Sequence, residues 1–387
     1  MNKTIKINLF ALSALFIGAS FFHNDNLAYA NDGIVSHAPQ ESTRSATQSL
    51  AEIDLLGQEA PSRLPMVSNP ALLPPRAKRL VEAANERKSM AYGSTGMSPF
   101  TTKRALTSTK GNTSTRAYHK KDLARGTGKL WMRFDTTWYV CTASLIDKGI
   151  VVTAAHCVHN FGEEDAGWAD EVLFQPMRDG NRKPYGNWKG EEWLVPEVYW
   201  NGTDTCTAEG VVCENDIALV VIKKKSGRYV GKRVFNTKDY AYKYYPYQVD
   251  DYSYVSFAAL VDSPLATQIT QLGYPVALDE GYRMIRTDSL GIQDTPSNVF
   301  IASDQSGGSS GGPWFVNYGR DYVSSDTTPT DSAMAIMAVT SWGYTDANMK
   351  IQGASRFATN TTFTTTSNIE TLHANACELY PKYCYAP

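Results

Sequence analysis

Three short segments stand out chemically: Thr153-Ala154-Ala155-His156-Cys157, Asn215-Asp216-Ile217-Ala218-Leu219 and Gly307-Gly308-Ser309-Ser310-Gly311-Gly312-Pro313. A serine hydroxyl is a weak nucleophile unless a base takes its proton during attack. Histidine suits that task because its unperturbed pKa of ~6.5 lies near neutrality. A buried carboxylate can hold the imidazole in one tautomer and stabilise the imidazolium that forms. Backbone N–H groups in a glycine-rich turn can meet the negative charge that develops on a carbonyl oxygen under attack. Ser310, His156 and Asp216 supply one group of each kind. Taken singly each segment is ordinary: a structural histidine, an aspartate at a cap or turn, a Gly/Ser loop. Their joint occurrence, in the order His, Asp, Ser, points to acyl-transfer chemistry.

Short β-rich runs that could position these groups begin near Thr127. They recur at residues 129–134, 139–146, 150–153, 172–175, 217–222, 254–260, 268–274, 299–302, 314–317 and 335–341, separated by turns rich in Gly, Asp, Asn and Pro. Many short strands without a long periodic helix predict an all-β sandwich or barrel. Helical patterns are confined to residues 77–87 and to the tail, 368–379. Seven tyrosines fall between Tyr240 and Tyr254. They suit either an aromatic connector between two subdomains or a platform for peptide or glycan.

Composition narrows the class. The 387 residues are 42% apolar and 20% charged, as in folded globular proteins. With 37 basic and 39 acidic residues the net charge is -2, which offers no electrostatic case for nucleic acid or an anionic membrane as partner. The N-terminus reads as an export signal: Lys3 and Lys6, an apolar run over 7–22, then Ala28-Tyr29-Ala30 before a cut. Asn8, Ser13, Gly18 and Ser20 interrupt that run, which falls short of the ~20 apolar residues of a membrane anchor. We therefore expect a secreted protein, extracellular or periplasmic, free of the membrane once the signal (1–30) is removed, and monomeric. Residues 31–116 differ from the rest: Pro and Ala are frequent from 61 to 84, and 89–116 is rich in Ser, Thr and Gly with few large apolar residues. Such a stretch buries too little surface to offset its ordering entropy. It reads as a pro-segment plus linker, or as a flexible extension. Six cysteines, Cys141, Cys157, Cys206, Cys213, Cys377 and Cys384, are an even count that favours disulfides in an exported chain. Sequential pairing is the obvious arrangement among 15 combinations. A zinc site is disfavoured because no Cys-x-x-Cys pair occurs. No metal and no other cofactor is expected.

With its three motifs in this order, the chain resembles the chymotrypsin/trypsin-like serine peptidases over residues 117–387. Gly273-Tyr274-Pro275 and the lack of several family cysteines look more like the bacterial branch, which includes glutamyl endopeptidases. The resemblance implies two Greek-key β-barrels, at about 117–236 and 250–365, with a C-terminal helix. It implies an endopeptidase acting on protein or peptide substrates through an acyl-enzyme on Ser310, with Gly308 and Ser310 as oxyanion donors. The same resemblance pairs Cys141 with Cys157, Cys206 with Cys213 and Cys377 with Cys384, and sets Ser341 against Asp216. Thr340-Ser341-Trp342-Gly343 becomes the substrate-pairing strand. Asp304, six before the nucleophile, becomes the base of the primary pocket, with Gly343 and Gly353 keeping it open; together they imply cleavage after Arg or Lys. Two departures stand out. Ser309 occupies the position where the animal enzymes carry an Asp that pairs with a new N-terminus. Ser306 stands where one half of a pocket-bracing cysteine pair would be. Two other classes fit parts of the pattern. Gly308-Ser309-Ser310-Gly311-Gly312 matches an α/β-hydrolase elbow, but that fold orders its groups Ser, acid, His, and only His373 follows Ser310. A catalytically silent binding protein on the same scaffold would lack the need for all three groups.

Overall fold

The computed structural model describes residues 30–31, 33–39, 49, 53, 61–67, 100–105, 123–235, 244–249, 255–256, 265–293, 297–319, 334–344 and 349–385. The export signal up to Tyr29 and the helical pattern at 77–87 lie outside the described residues.

The first barrel is built from β2 (Thr127–Phe134), β3 (Thr137–Leu145), β4 (Ile150–Thr153), β5 (Glu171–Pro176), β6 (Trp188–Pro196) and β7 (Ala218–Ile222), after a preceding strand β1 (Ile34–His37). Its order is β6-β7-β4-β3-β2-β5, closed by pairing of β5 with β6, while β1 adds to the outside of β6. The second barrel comprises β8 (Leu265–Gly273), β9 (Ile285–Gln293), β10 (Asn298–Ala302), β11 (Pro313–Val316), β12 (Ala335–Tyr344) and β13 (Ile351–Arg356). It runs β8-β11-β12-β13-β10-β9 and closes between β8 and β9. The all-β, two-barrel architecture with a C-terminal helix is thus as expected. The residues after Pro313 form a strand, which removes the strand-turn-helix context an α/β-hydrolase elbow needs.

Most strands are buried on both faces, and alternate side chains enter different cores. Along β2, Leu130 and Met132 enter the main core, while Trp131 turns outward with Trp138, Val140 and Leu173. That outer face is capped by Ile53, fully buried against it. The unbroken apolar run of β7 is buried on both faces, because helix α1 (Asn368–Leu379) packs against β6 and β7. Helix α1 starts at a capping box, Ser367 with Glu370, and buries Ile369, Leu372 and Ala376 at helical spacing. The tyrosine-rich stretch is described only from 244 to 249. There Tyr245 is buried, edge-on to Phe235 and Phe315, with its hydroxyl donating to the Leu123 carbonyl.

Part of the 31–116 region is ordered, contrary to its composition. Phe100–Arg104 pairs antiparallel with β9 over five residues, and Met66–Val67 pairs parallel with β12. Strand addition to a sheet edge satisfies backbone groups and asks little of side-chain hydrophobicity, so composition does not report it.

Lys129, on β2, spans the two barrels: its ammonium donates to the Gly281 carbonyl at 2.8 Å and lies 4.6 Å from the Trp131 ring centroid. Burial, with the Arg178 charge adding to it, pushes this group down to about 7 from 10.5. Between those values the unfolded chain holds a proton that the folded chain has released, so Lys129 makes stability rise with pH. Lys129→Met should therefore be most favourable, relative to wild type, near pH 6. In urea unfolding the difference should shrink by more than about 1 kcal/mol toward pH 10; a difference constant across that range would contradict this reading.

Candidate active site

His156 lies in the short turn Ala155–Cys157 that follows β4, and Asp216 lies two residues before β7. The two strands are antiparallel, with Thr153 opposite Ala218, so their ends deliver His156 and Asp216 to the same rim of the barrel. Asp216 Oδ1 accepts from the His156 backbone N–H at 2.9 Å, and Oδ2 lies 2.7 Å from His156 Nδ1. From the second barrel, Ser341 Oγ donates to Oδ2 at 2.6 Å. The carboxylate is buried, and with Nδ1 protonated toward it the ring presents Nε2 as an acceptor. Cys157 is bonded to Cys141 on β3, which fixes the His156 turn; Cys206–Cys213 and Cys377–Cys384 are the other disulfides.

A further layer holds the Asp216 loop. Asp204 accepts from the backbone and the side chain of Asn215, each at 2.8 Å, and burial pushes its carboxyl up to about 7. Asn215 Oδ1 in turn accepts from Asn360 and Asn368.

Ser310 sits in the turn between β10 and β11. Gly308 has φ +93°, and a Cβ there would come within 2.4 Å of the Tyr274 carbonyl oxygen. At Gly311, with φ +71°, a Cβ would lie 2.0 Å from Thr153 Oγ1 and 2.8 Å from the Ala154 nitrogen. Both positions need glycine, and the second packs the Ser310 turn against the residues just before His156. Thr142 clamps the turn from the first barrel: its Oγ1 donates to the Gly308 carbonyl and its N–H to that of Ser310. The N–H groups of Gly308 and Ser310 donate to no described residue, and His156 Nε2 and Ser310 Oγ are buried without a partner.

Residues 61–67 run alongside this turn. The Pro61 carbonyl accepts from Val140 N–H at 3.1 Å, and the Pro65 carbonyl accepts from Gly343 N–H at 3.0 Å. Between these anchors Ser62 lies so close to Gly307 that a Cβ there would meet its Oγ at 1.8 Å, and Leu64 packs on Gly343. The Arg63 guanidinium bonds the Asn160 side chain and covers the Phe134 ring at 3.7 Å. Asp304 lines a cavity of 240 Å³ with Gln305, Gly343 and Gln352, into whose lining Leu64 and Met66 also enter. Its carboxylate accepts from Thr102 Oγ1 at 2.6 Å. Gly343 is thus in the cavity wall, whereas Gly353 is not: a Cβ on Gly353 would lie 1.9 Å from the Trp342 indole, so this glycine makes room for a buried tryptophan.

Sequence reading missed Arg63, Asp204 and the glutamines Gln271 and Gln352. Gln271 carried a faint signal as a polar residue on the Ile269 face of the predicted run 268–274, whereas Gln352 fell in no predicted run. Three clusters of His, Cys, Asp and Glu lie close enough to share an ion among the described residues, but each contains both sulfurs of a disulfide. Without those sulfurs none keeps three donors.

Residues 123–364, well over half the chain, match the family model described as Trypsin, and the chain belongs to the trypsin family of serine peptidases. The extracellular metalloprotease of Bacillus subtilis (strain 168) is 25% identical over 197 residues, 50% of this chain and 52% of its own. The chain thus spans about half the length of this curated relative. Among solved structures, a thermostable serine protease, AL20, from an extremophilic microorganism is 21% identical, covering 65% of this chain and 97% of its own at a TM-score of 0.47. The protease Anisep of Arthrobacter nicotinovorans is 20% identical over 66% and 96%, at 0.48. A Glu endopeptidase is 16% identical over 71% and 95%, at 0.45.

Proposed function

We propose that Ser310 is the nucleophile, His156 its base and Asp216 the group that orients and stabilises the imidazole. The observation that carries this reading, of a serine endopeptidase acting on proteins or peptides, is the pair of hydrogen bonds from His156 to Asp216, which leaves Nε2 without an acceptor or donor partner among the described residues. In the first step Ser310 Oγ bonds to the substrate carbonyl carbon and its proton passes to Nε2. The oxygen becomes an oxyanion facing the N–H groups of Gly308 and Ser310. Collapse breaks the C–N bond, Nε2 returns the proton to the leaving amine, and water repeats the sequence to free the acid. A metal-dependent reading, which the name of the Bacillus subtilis relative suggests, lacks a three-donor set among the described residues.

We also infer that the chain is exported, loses residues 1–30, and is held inactive until the region up to about residue 116 is cut. The three disulfides suit an oxidising compartment, and no described helix is long and apolar enough to cross a membrane. The course of residues 61–67 between Val140 and Gly343 supports the second step. For specificity we propose Arg or Lys before the cleaved bond. Asp304 supports this: among described residues its only hydrogen bond comes from Thr102, and cutting beyond residue 104 would let that partner leave, so the carboxylate could meet a guanidinium or ammonium.

Three measurements test these readings. Ser310→Ala, His156→Ala and Asp216→Asn should each lower kcat by several orders of magnitude, with double variants little worse than single ones; a fluorophosphonate should label Ser310, and full activity in Ser310→Ala would end the assignment. A synthetic peptide spanning residues 60–68 should inhibit the mature enzyme competitively, and its Leu64→Asp form should not; an active species that still carries residues 61–67 in one chain would overturn the covering role. Asp304→Ser should cut the ratio of kcat/KM for Arg- over Phe-ended substrates at least tenfold. An unchanged ratio dismisses Asp304, and a wild-type preference for Glu would shift attention to Lys350, which lines the same cavity.

A further inference from the structure

We propose that the buried amides of Gln271 and Gln352 position the turn bearing Gly308 and Ser310, acting through Ser309. The proposal rests on the reading of Ser310 as nucleophile. Ser309 is the residue between the two N–H donors, and it is fully buried. Its Oγ donates to the Ser306 carbonyl within the turn and sits 3.2 Å from Gln352 Nε2. Gln352, on β13, accepts at Oε1 from Gln271 Nε2, on β8. Gln271 Nε2 also donates to Thr340 Oγ1 at 3.0 Å, and Gln271 Oε1 accepts from Ser303 Oγ at 2.8 Å. Thr340 Oγ1 is held by the Trp314 indole N–H at 2.9 Å and reaches the Gly312 carbonyl at 3.3 Å. The network therefore grips the Ser310 turn at three places, Ser303 where it begins, Ser309 at its apex and Gly312 where it ends, and ties them to β8, β12 and β13.

The location gives this network its significance. Two devices of the resembled family are missing around this turn: the Asp that its animal members carry at the position of Ser309, and the cysteine pair one member of which would stand at Ser306. Every side chain in the network found here is neutral. A buried amide pair with its donors and acceptors matched is a rigid brace, because breaking one bond strands its partner in an apolar surround. Thr142 fixes the carbonyls of Gly308 and Ser310 from the first barrel; Ser309 is the grip from the second. Together they set the direction of the two peptide planes whose N–H groups face the site. Gln271 is a positioning residue in this scheme: it is buried and does not line the Asp304 cavity, so it has no route to substrate except through the turn.

The test uses the mature enzyme with Gln271→Met and Ser309→Ala, singly and together. Each single change should lower kcat about 10- to 100-fold, part of the 10²–10³ that losing one oxyanion donor costs. KM should stay within about threefold, as expected when only transition-state contacts weaken. Affinity for a peptidyl boronate, which forms a tetrahedral adduct, should fall in proportion to kcat, while affinity for the cleaved product peptide should hold. The double variant should be no more than about threefold worse than the poorer single one, since both changes cut one chain of contacts. If Gln271→Met does not fold, Ser309→Ala alone decides. Unchanged kcat in a folded variant, equal losses of boronate and product affinity, or fully multiplicative effects would each overturn the proposal. Fluorophosphonate labelling of the wild type separates the levels: with Ser310 labelled and kcat unmoved, the positioning role alone is wrong, whereas labelling elsewhere removes the reading beneath it.

Discussion

The buried carboxylate of Asp216 is the contact on which the rest depends. It receives two bonds from His156, on the first barrel, and one from Ser341, on the second. A carboxylate in such a place is tolerable only while its donors stay in register, because an ionised oxygen without partners in a dry interior is costly. The two closed barrels supply that register. Antiparallel pairing of β4 with β7 sets His156 beside Asp216, and β12 brings Ser341 across the junction. The layer beneath, Asp204 with Asn215, Asn360 and Asn368, extends the same logic to the neck of helix α1.

A second constraint is close approach. Gly308 and Gly311 bring the Ser310 turn against the backbone of Tyr274 and the side chain of Thr153 at distances no side chain would allow. The turn is therefore pressed between barrels, clamped by Thr142 on one side and by neutral amides on the other. Its Gly308 and Ser310 N–H groups have no acceptor among the described residues. Beside it residues 61–67 lend backbone carbonyls to Val140 and Gly343 and a side chain, Leu64, to the lining of the Asp304 cavity.

Much of this was legible in the chain itself. The residues around His156, Asp216 and Ser310 are local motifs, and period-2 patterning marked most of the strands. Short disulfide loops and the helix at Asn368–Leu379 were readable for the same reason: their determinants lie within a few residues of one another. The features that escaped reading have distant determinants. Ser62 meets Gly307 across 245 positions of sequence, Thr102 meets Asp304 across 202, and the Gln271–Gln352 pair across 81. Phe100–Arg104 was obscured because a polar composition says nothing about an available sheet edge. The family resemblance sets Gly353 in the wall of an open pocket, yet the space it leaves is filled by Trp342.

The residues proposed to cover the site belong to the same chain as that site, and they precede it. During N-to-C synthesis residues 61–67 exist before Ser310 and Ser341 are made, so in this reading the second barrel closes onto a cover already present. Being tethered, that cover acts at an effective concentration set by chain geometry rather than by how much protein surrounds it. In the proposed inactive form dilution would not release it, and each molecule would be silenced independently of its neighbours. A single cut in the intervening chain turns the same segment into an ordinary bimolecular ligand, whose hold then fades as the protein disperses into a larger volume.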